Sequence, residues 1–201
     1  MIKKIILYSL FSLFIFSSIY FFLNKDYYQN TTVQKIENQE ALPGGHFKLI
    51  NQDGTVFDSE ISNKLMLIYF GFTYCPDVCP TTLIKMADVI DRLGDDALEV
   101  NSIFISVDPE RDNVEIINDY VSAFHNQIIG LTGNEEQISN VAKDWGVYYQ
   151  KEFIDGSAEY TVNHLDIIFL ANANGEFIDF FPPKIQSALI VEKVRNLIKS
   201  D

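Results

Sequence analysis

The feature that most constrains the fold is an uninterrupted apolar run, LMLIYFGF, at residues 65–72. A strand with one solvent-facing side alternates apolar and polar residues, whereas a strand covered on both faces is apolar throughout. The run therefore predicts a central strand in a sheet that is covered on both sides. A second apolar run, at residues 103–107, predicts a neighbouring buried strand.

The rest of the sequence alternates between helix and strand patterns. Apolar residues at helical spacing predict helices at residues 83–93, 117–124, 138–145 and 185–199, and Gly94 stops the first of them. Further strands are predicted at residues 47–50, 55–57, 128–131, 147–153, 167–171 and 176–181, with hairpin turns at 51–54 and 172–175. This order predicts an α/β fold with a thioredoxin-like mixed sheet flanked by helices.

The composition excludes three classes of protein. The 201 residues contain 15 Lys and Arg against 28 Asp and Glu, which gives a formal net charge of -13. A chain this acidic, with no basic stripe, is not expected to bind nucleic acid or an anionic membrane surface. Cys75 and Cys79 are the only cysteines, so a small scaffold held by several disulfides is excluded as well.

An uncharged apolar segment at residues 5–23 predicts a membrane anchor. As a helix it would be about 28 Å long, close to the hydrocarbon thickness of a bilayer. Lys3 and Lys4 precede it, so the positive-inside rule places residues 1–4 in the cytoplasm and the rest of the chain across the membrane. A cleavable signal peptide is the alternative interpretation of the same segment.

The domain organisation follows from this anchor. We predict a cytoplasmic N-terminus at 1–4, one transmembrane helix at 5–23, a polar linker at 24–42 and an exported domain at 43–201. No arginine precedes Arg92, which disfavours a mitochondrial presequence. The sequence therefore favours a bacterial inner membrane, with the soluble domain in the periplasm.

Both cysteines lie in the motif CPDVCP, which directly follows the predicted central strand. The residue before a proline is pushed out of the helical region, and proline suits the first position of a helix. We therefore expect Cys79 to be the N-cap of a helix that starts at Pro80, with Cys75 in the preceding loop. The partial positive charge of a helix N-terminus lowers a thiol pKa and favours the thiolate, which attacks disulfides and binds metals.

The cysteine pair supports a structural, a redox or a metal-binding role. A disulfide that closes so short a loop removes little entropy from the unfolded chain, which disfavours the structural role. A third ligand would distinguish the other two roles. His46 and His125 are expected to be ordinary surface histidines, whereas His164 precedes a predicted strand at the end of the sheet where the cysteines lie. Two thiolates and one imidazole suit Cu(I), whereas zinc usually takes a fourth ligand.

Three motifs resemble those of one known family. They are GFTYCPDVCPTTL at residues 71–83, SVDPERD at 106–112 and TVNH at 161–164. Together they resemble the Sco/SenC family of copper-handling proteins with a thioredoxin fold, and the resemblance covers nearly the whole predicted exported domain. It implies that Cys75, Cys79 and His164 are copper ligands for Cu(I), with Cu(II) as a further option. Thioredoxins place a proline near the position that His164 occupies, which is consistent with a metal site in its place.

The resemblance also implies a function. The protein would be a membrane-anchored periplasmic copper metallochaperone for the binuclear copper centre of cytochrome c oxidase subunit II, with that subunit and a second copper chaperone as candidate partners. The alternative is a thiol–disulfide oxidoreductase that uses Cys75 and Cys79 to keep the subunit's copper-ligand cysteines reduced. The first function is not enzymatic and the second is. A peroxidase-like enzyme is a third interpretation, because a thiolate at a helix N-terminus also reduces peroxide.

Acidic residues near the motifs have structural and functional interpretations. Asp166 either orients His164 or faces solvent. Asp112 is expected to cap the following helix and Pro109 to shape the turn before it, in a loop that is also placed to contact a partner. Asp77, between the cysteines, is expected to be a turn residue.

Overall fold

The apolar run at residues 65–72 forms strand β3 (Leu65–Gly71), in which every residue is buried. The structure is a computed structural model that describes residues 42–154, 156–157 and 159–200. Successive side chains of a strand point to opposite faces, so complete burial of β3 means that both faces of its sheet are covered. The next strand, β4 (Val100–Ser106), is also buried throughout. Both predicted central strands are therefore confirmed.

Seven strands form the mixed sheet that the sequence predicts. The described residues contain nine strands, of which β6 and β7 lie outside this sheet. Besides β3 and β4, the strands are β1 (Lys48–Asn51), β2 (Val56–Asp58), β5 (Ile128–Thr132), β6 (Tyr149–Phe153), β7 (Tyr160–His164), β8 (Ile168–Ala171) and β9 (Phe177–Phe181). The sheet order is β2-β1-β5-β4-β3-β8-β9. Strands β3, β4 and β5 are parallel to one another, whereas β1, β2, β8 and β9 pair antiparallel.

The pairing of β8 with β3 determines where the functional motifs meet. β8 runs antiparallel to β3, with Tyr69 opposite Ile168. The first residue of β8 therefore lies beside the C-terminal end of β3. Because the CPDVCP motif follows β3 and His164 precedes β8, the two come to the same end of the sheet.

The α-helices match the four predicted ones, with one short addition, and a 3₁₀ helix (Gly94–Glu99) follows the first predicted helix. They are α1 (Ser59–Ser62), α2 (Val78–Leu93), α3 (Val114–Ser122), α4 (Glu135–Asp144) and α5 (Ser187–Ile198). α2 packs against α5, and α3 packs against β5. Gly94 is the C-cap of α2, with a φ of 61°, so its conformation is one that glycine adopts at little cost.

The predicted start of α2 is wrong. The helix begins at Val78, and its N-cap is Asp77, whose side chain makes no capping hydrogen bond. Cys79 is therefore the second residue of the helix rather than its N-cap, and Pro80 is the third rather than the first. The first N–H groups of a helix have no intrahelical partner, so a proline is tolerated throughout the first turn and does not fix the starting residue.

Strand β7 is not predicted from the sequence. Among the described residues, β6 and β7 form a separate two-stranded antiparallel sheet, with Tyr149 opposite His164 and Phe153 opposite Tyr160. Val162 is the only buried residue of β7, so its apolar signal is too weak to mark a strand. His164 is consequently held on a strand rather than on a loop.

The predicted transmembrane helix at residues 5–23, and the linker at 24–42 except for Leu42, lie outside the described residues. None of the helices in the described ranges combines the length and the apolar character that crossing a membrane requires. From Pro43 onward, the chain forms one compact unit.

Candidate metal centre

The two cysteines lie between the end of β3 and the first turn of α2. The chain turns directly after β3, where the backbone N–H of Cys75 donates to the carbonyl oxygen of Phe72 at 3.3 Å. The backbone N–H of Cys79 points back at Cys75 and lies 3.5 Å from its Sγ. Both thiols are free, and Cys75 is 9% exposed whereas Cys79 is completely buried. The outer sulfur is therefore Cys75 and the inner one is Cys79.

His164, the last residue of β7, completes a group of three donors. Its Nε2 lies 3.3 Å from the Sγ of Cys79. One donor atom from each of Cys75, Cys79 and His164 lies within 4.8 Å of the other two. The imidazole packs edge-on against the ring of Phe72, with the ring centres 5.7 Å apart. Segments far apart in sequence thus bring together the three residues that the sequence analysis singled out.

Tyr69 and Gly71 surround the inner sulfur, and sequence reasoning missed both. The buried Tyr69 hydroxyl donates to the Sγ of Cys79 at 3.5 Å. A Cβ at Gly71 would lie 2.8 Å from the same sulfur, so only glycine leaves room for the Cys79 side chain. The position of Tyr69 within an apolar run could have indicated from the sequence that it bonds to a site residue, because a buried hydroxyl needs a hydrogen-bond partner.

The two thiols have different acidities. The hydrogen bond from the Cys79 thiol holds the pKa of Cys75 well below the usual range, and contacts with His164 and with the backbone N–H groups of Cys79 and Asp77 act in the same direction. The pKa of Cys79 is raised, first by this hydrogen bond and then by burial. Cys75 is therefore the thiolate and Cys79 the thiol near neutral pH. A metal that binds both sulfurs must displace the Cys79 proton.

The donor set fits copper. Two soft sulfurs and one imidazole favour Cu(I) among the common metals, because Cu(I) accepts low coordination numbers and soft ligands. A structural zinc site would be expected to have four protein ligands. In the part of the chain that the structure describes, these three residues form the only such cluster of His, Cys, Asp or Glu donors.

The other two histidines lie apart from this group. His46 is exposed, and its Nδ1 lies 3.4 Å from the hydroxyl of Ser59. The Nε2 of His125 lies 3.5 Å from a carboxylate oxygen of Asp91. The structure therefore brings His164 alone, of the three histidines, to the cysteine pair.

Asp166 adopts neither of the two arrangements expected for it. Its carboxylate accepts a hydrogen bond from the hydroxyl of Thr82 at 3.0 Å, and the residue is half-buried. The Nδ1 of His164 lies 3.3 Å from the carbonyl oxygen of Leu165 instead. Asp166 therefore links the segment after His164 to helix α2, which carries Cys79.

The expected capping role of Asp112 is wrong. The N-cap of α3 is Asn113, whose side chain accepts from the backbone N–H of Ile116. Asp112 is buried and accepts hydrogen bonds from Thr73 and Ser106 instead. A buried position next to a cap has no sequence signal of its own, because aspartate and asparagine both favour the N-cap. Asp77, expected to be a turn residue, is exposed and is the N-cap of α2, and its backbone carbonyl accepts the first helical hydrogen bond, from the N–H of Thr81.

Comparisons with known proteins agree with this geometry. The SCO1/SenC family model matches residues 35–199, a range that includes all three donors. A SCO2-like protein of Rickettsia felis is 41% identical over 140 residues, which cover 69% of this chain and 68% of the relative. The structure of Arabidopsis thaliana ScoI with copper bound has a TM-score of 0.72 and 38% identity, covering 79% of this chain and 99% of that one. Bradyrhizobium japonicum ScoI with copper bound has a TM-score of 0.72 and 36% identity, covering 77% and 98%.

Proposed function

The chain belongs to the SCO1/SenC family, and we propose that it is a copper metallochaperone that binds Cu(I) through Cys75, Cys79 and His164 during cytochrome c oxidase assembly. In its finer form, the proposal places a transmembrane anchor at residues 5–23 in a bacterial inner membrane and the binding domain in the periplasm. The recipient of the copper is the binuclear centre of oxidase subunit II. The copper-bound ScoI relatives support the choice of metal.

One observation carries the proposal. Donor atoms from the CPDVCP motif and from β7 lie within 4.8 Å of one another, although 85 positions separate Cys79 from His164. The cluster also reaches the surface, because Cys75 keeps a small exposed area and His164 is half-buried. A ligand of the recipient can therefore approach the metal from the Cys75 side, which transfer by ligand exchange requires.

Titration of the reduced full-length protein with Cu(I), against a chromogenic chelator of known affinity, tests the ligand set. We expect one tight site in the wild type. His164→Ala should weaken it by at least about tenfold, or about 1.4 kcal/mol. Cys75→Ser and Cys79→Ser should abolish tight binding, because a hydroxyl replaces a soft sulfur ligand.

His125→Ala is the matched control, since it removes a histidine outside the donor cluster. Its Cu(I) affinity should equal that of the wild type. An unchanged affinity in His164→Ala would reject the three-ligand site. Incubation of the Cu(I)-loaded protein with a soluble domain of oxidase subunit II, followed by one-electron oxidation with ferricyanide, tests the recipient. Absorption bands of a binuclear copper centre should then appear only with loaded protein.

The unequal environments of the two thiols favour a second function, reduction of the subunit's copper-ligand cysteines. Cys75 is a partly exposed thiolate, which suits attack on a disulfide. Cys79 is the buried partner that would then form the Cys75–Cys79 disulfide and release the reduced target. This function uses the same two sulfurs as copper binding and places no demand on a third ligand.

A redox titration against glutathione buffers tests this function. A reductase predicts a reversible Cys75–Cys79 disulfide with a potential of about −270 to −120 mV, whereas a structural disulfide would lie below about −300 mV. His164→Ala should then lose copper affinity while it still reduces the target disulfide. If Cys75→Ser reduces the target disulfide as well as the wild type does, the second function is rejected.

A further inference from the structure

Arg111 contacts both chain segments that carry the proposed metal ligands. Its guanidinium carbon lies 3.7 Å from the ring centre of Tyr160, which begins β7, the strand of His164. The same carbon lies 4.8 Å from the ring centre of Tyr74, the residue directly before Cys75. One side chain therefore lies against both the turn that carries Cys75 and the strand that carries His164.

Hydrogen bonds hold the Arg111 side chain in this position. Its Nε donates to the buried carboxylate of Asp108 at 2.5 Å, and its Nη1 donates to the backbone carbonyl of Tyr160 at 2.9 Å. The Tyr160 hydroxyl donates to the other oxygen of Asp108 at 2.8 Å. Asp108, Arg111 and Tyr160 thus form a closed set of contacts that we call the arginine bridge. A planar guanidinium can make both of its hydrogen bonds at once in a fixed geometry, which the single ammonium of lysine cannot.

The β6–β7 sheet depends on contacts of this kind for its position. In the described residues its two strands pair with each other and not with the seven-stranded sheet. A second tie from the same loop reaches β6, where Lys151 pairs with Glu110 at 2.6 Å. Because the main sheet does not pair with β7, His164 is placed by its short connection to β8 and by side-chain contacts such as these.

We propose that Arg111 is a positioning residue of the metal site, whose bridge between Tyr74 and Tyr160 fixes the distance from the Cys75 turn to His164. The proposal rests on the copper site proposed above. Arg111 does not bind the metal; it acts through His164. Its loss leaves the two sulfurs, which share one continuous segment, in place and displaces the imidazole.

Cu(I) titration of the full-length Arg111→Met variant tests the proposal. Affinity should fall by about 10- to 100-fold, as for other residues that orient a metal ligand. X-ray absorption of the loaded variant should show loss of the nitrogen ligand with both sulfurs retained. The variant should still form the Cys75–Cys79 disulfide reversibly, because both sulfurs lie on one continuous segment. Arg92→Met, which removes an arginine paired with Asp88 on the surface, is the matched control and should bind like the wild type.

A double variant identifies the route of the effect. In the His164→Ala background, Arg111→Met should cause no further loss of affinity, because the residue through which it acts is absent. Arg111→Lys should remain weak, since it keeps the charge but not the two hydrogen bonds. Tyr74→Leu should weaken Cu(I) binding by a smaller factor than Arg111→Met does. The Tyr74 ring is 58% exposed and so contributes little to folding.

Several results would overturn the proposal. These are wild-type affinity in Arg111→Met, an equal loss in the presence and absence of His164, full rescue by lysine, or loss of the reversible Cys75–Cys79 disulfide. Wild-type affinity in Arg111→Met together with weak binding in His164→Ala would reject the role of Arg111 and leave the copper site intact. Absence of tight Cu(I) binding by the wild type would reject both proposals.

Discussion

Replacing Asp112 with alanine is expected to destabilise the protein, because its fully buried carboxylate joins two parts of the fold. The carboxylate accepts hydrogen bonds from the backbone N–H of Thr73 at 2.9 Å, from the Thr73 hydroxyl at 2.6 Å and from the Ser106 hydroxyl at 2.5 Å. Thr73 lies just before Cys75, and Ser106 ends β4. Asp112 thus ties the turn that carries the thiolate to the central sheet.

The magnitude follows from these three donors. A buried donor that loses its acceptor costs about 1 to 3 kcal/mol, and the two hydroxyls can rotate toward other acceptors whereas the backbone N–H cannot. We therefore expect the free energy of unfolding to fall by about 3 kcal/mol. In a domain of this size that corresponds to a Tm about 6 to 12 °C lower. Urea unfolding, followed by the fluorescence of the single tryptophan, Trp145, measures the loss.

The same residue predicts a pH dependence. Burial raises the pKa of Asp112, against the hydrogen bonds from Ser106 and Thr73 that lower it. The folded state therefore binds the proton of Asp112 more tightly than the unfolded state does. The stabilisation of the folded state that results is complete below the unfolded pKa of about 3.9 and is lost as the pH rises through the folded pKa. Asp112→Asn cannot ionise, so the stability of the wild type relative to this variant should fall as pH rises above about 4 and then level off.

Two results would refute this reasoning. A loss below about 1 kcal/mol in Asp112→Ala would mean that the three donors find other acceptors. A wild type that gains stability relative to Asp112→Asn as pH rises would mean that the hydrogen bonds outweigh the cost of burial. Asp119→Ala, at an exposed position of α3, is the matched control and should change stability by less than about 0.5 kcal/mol.

Three further predictions concern the metal site. Gly71→Ala should lower the free energy of unfolding by about 1 to 3 kcal/mol in urea, because its Cβ would lie 2.8 Å from the Sγ of Cys79; unchanged stability would contradict this. Alkylation by iodoacetamide should stay fast well below pH 8.5, the ordinary midpoint of a thiol, and should disappear in Cys75→Ser, because Cys75 has the lowered pKa. Equal alkylation of Cys79 would argue against this asymmetry. Tyr69→Phe removes the hydrogen bond to the Sγ of Cys79, a bond expected to contribute about 0.5 to 1.5 kcal/mol. It should therefore lower Cu(I) affinity by up to about tenfold. An affinity equal to that of the wild type would show that this bond does not stabilise the bound thiolate.

The parts of the fold that the sequence predicts are those with a local cause. A strand that is buried on both faces requires apolar residues, so the apolar run at 65–72 indicates β3. An Asp-Gly pair likewise indicates the turn of the hairpin that β1 and β2 form. No local sequence pattern indicates β7, because four of its five residues are not buried and the strand with which it pairs is determined by the fold. The start of α2 was misplaced for a related reason, since Pro80 is compatible with more than one position in the first turn.

The proposed metal site also contains some residues that the sequence predicts and others that it does not. The cysteine pair is a local motif, whereas the assignment of His164 depended on the expected sheet order and on the resemblance to a family. Tyr69, Gly71 and Arg111 contribute through contacts between segments distant in sequence, and no spacing rule identifies such contacts. Gly71 illustrates this, because its small size matters only through the Cys79 sulfur beside it.

The position of His164 bears on the choice between copper transfer and thiol reduction. Two cysteines that only exchange disulfides need to reach each other and the target, and they require no third group in contact with both. Here the imidazole Nε2 lies 3.3 Å from the buried Sγ of Cys79, and one donor atom of each of the three residues lies within 4.8 Å of the other two, so the imidazole is close to both sulfurs. It completes a three-donor cluster in which Cys79 is fully buried and Cys75 and His164 keep some exposed surface. A carrier that must hold a soft metal and then give it to an incoming ligand needs a third donor, whereas a reductase does not, so the position of His164 supports the proposal of copper transfer.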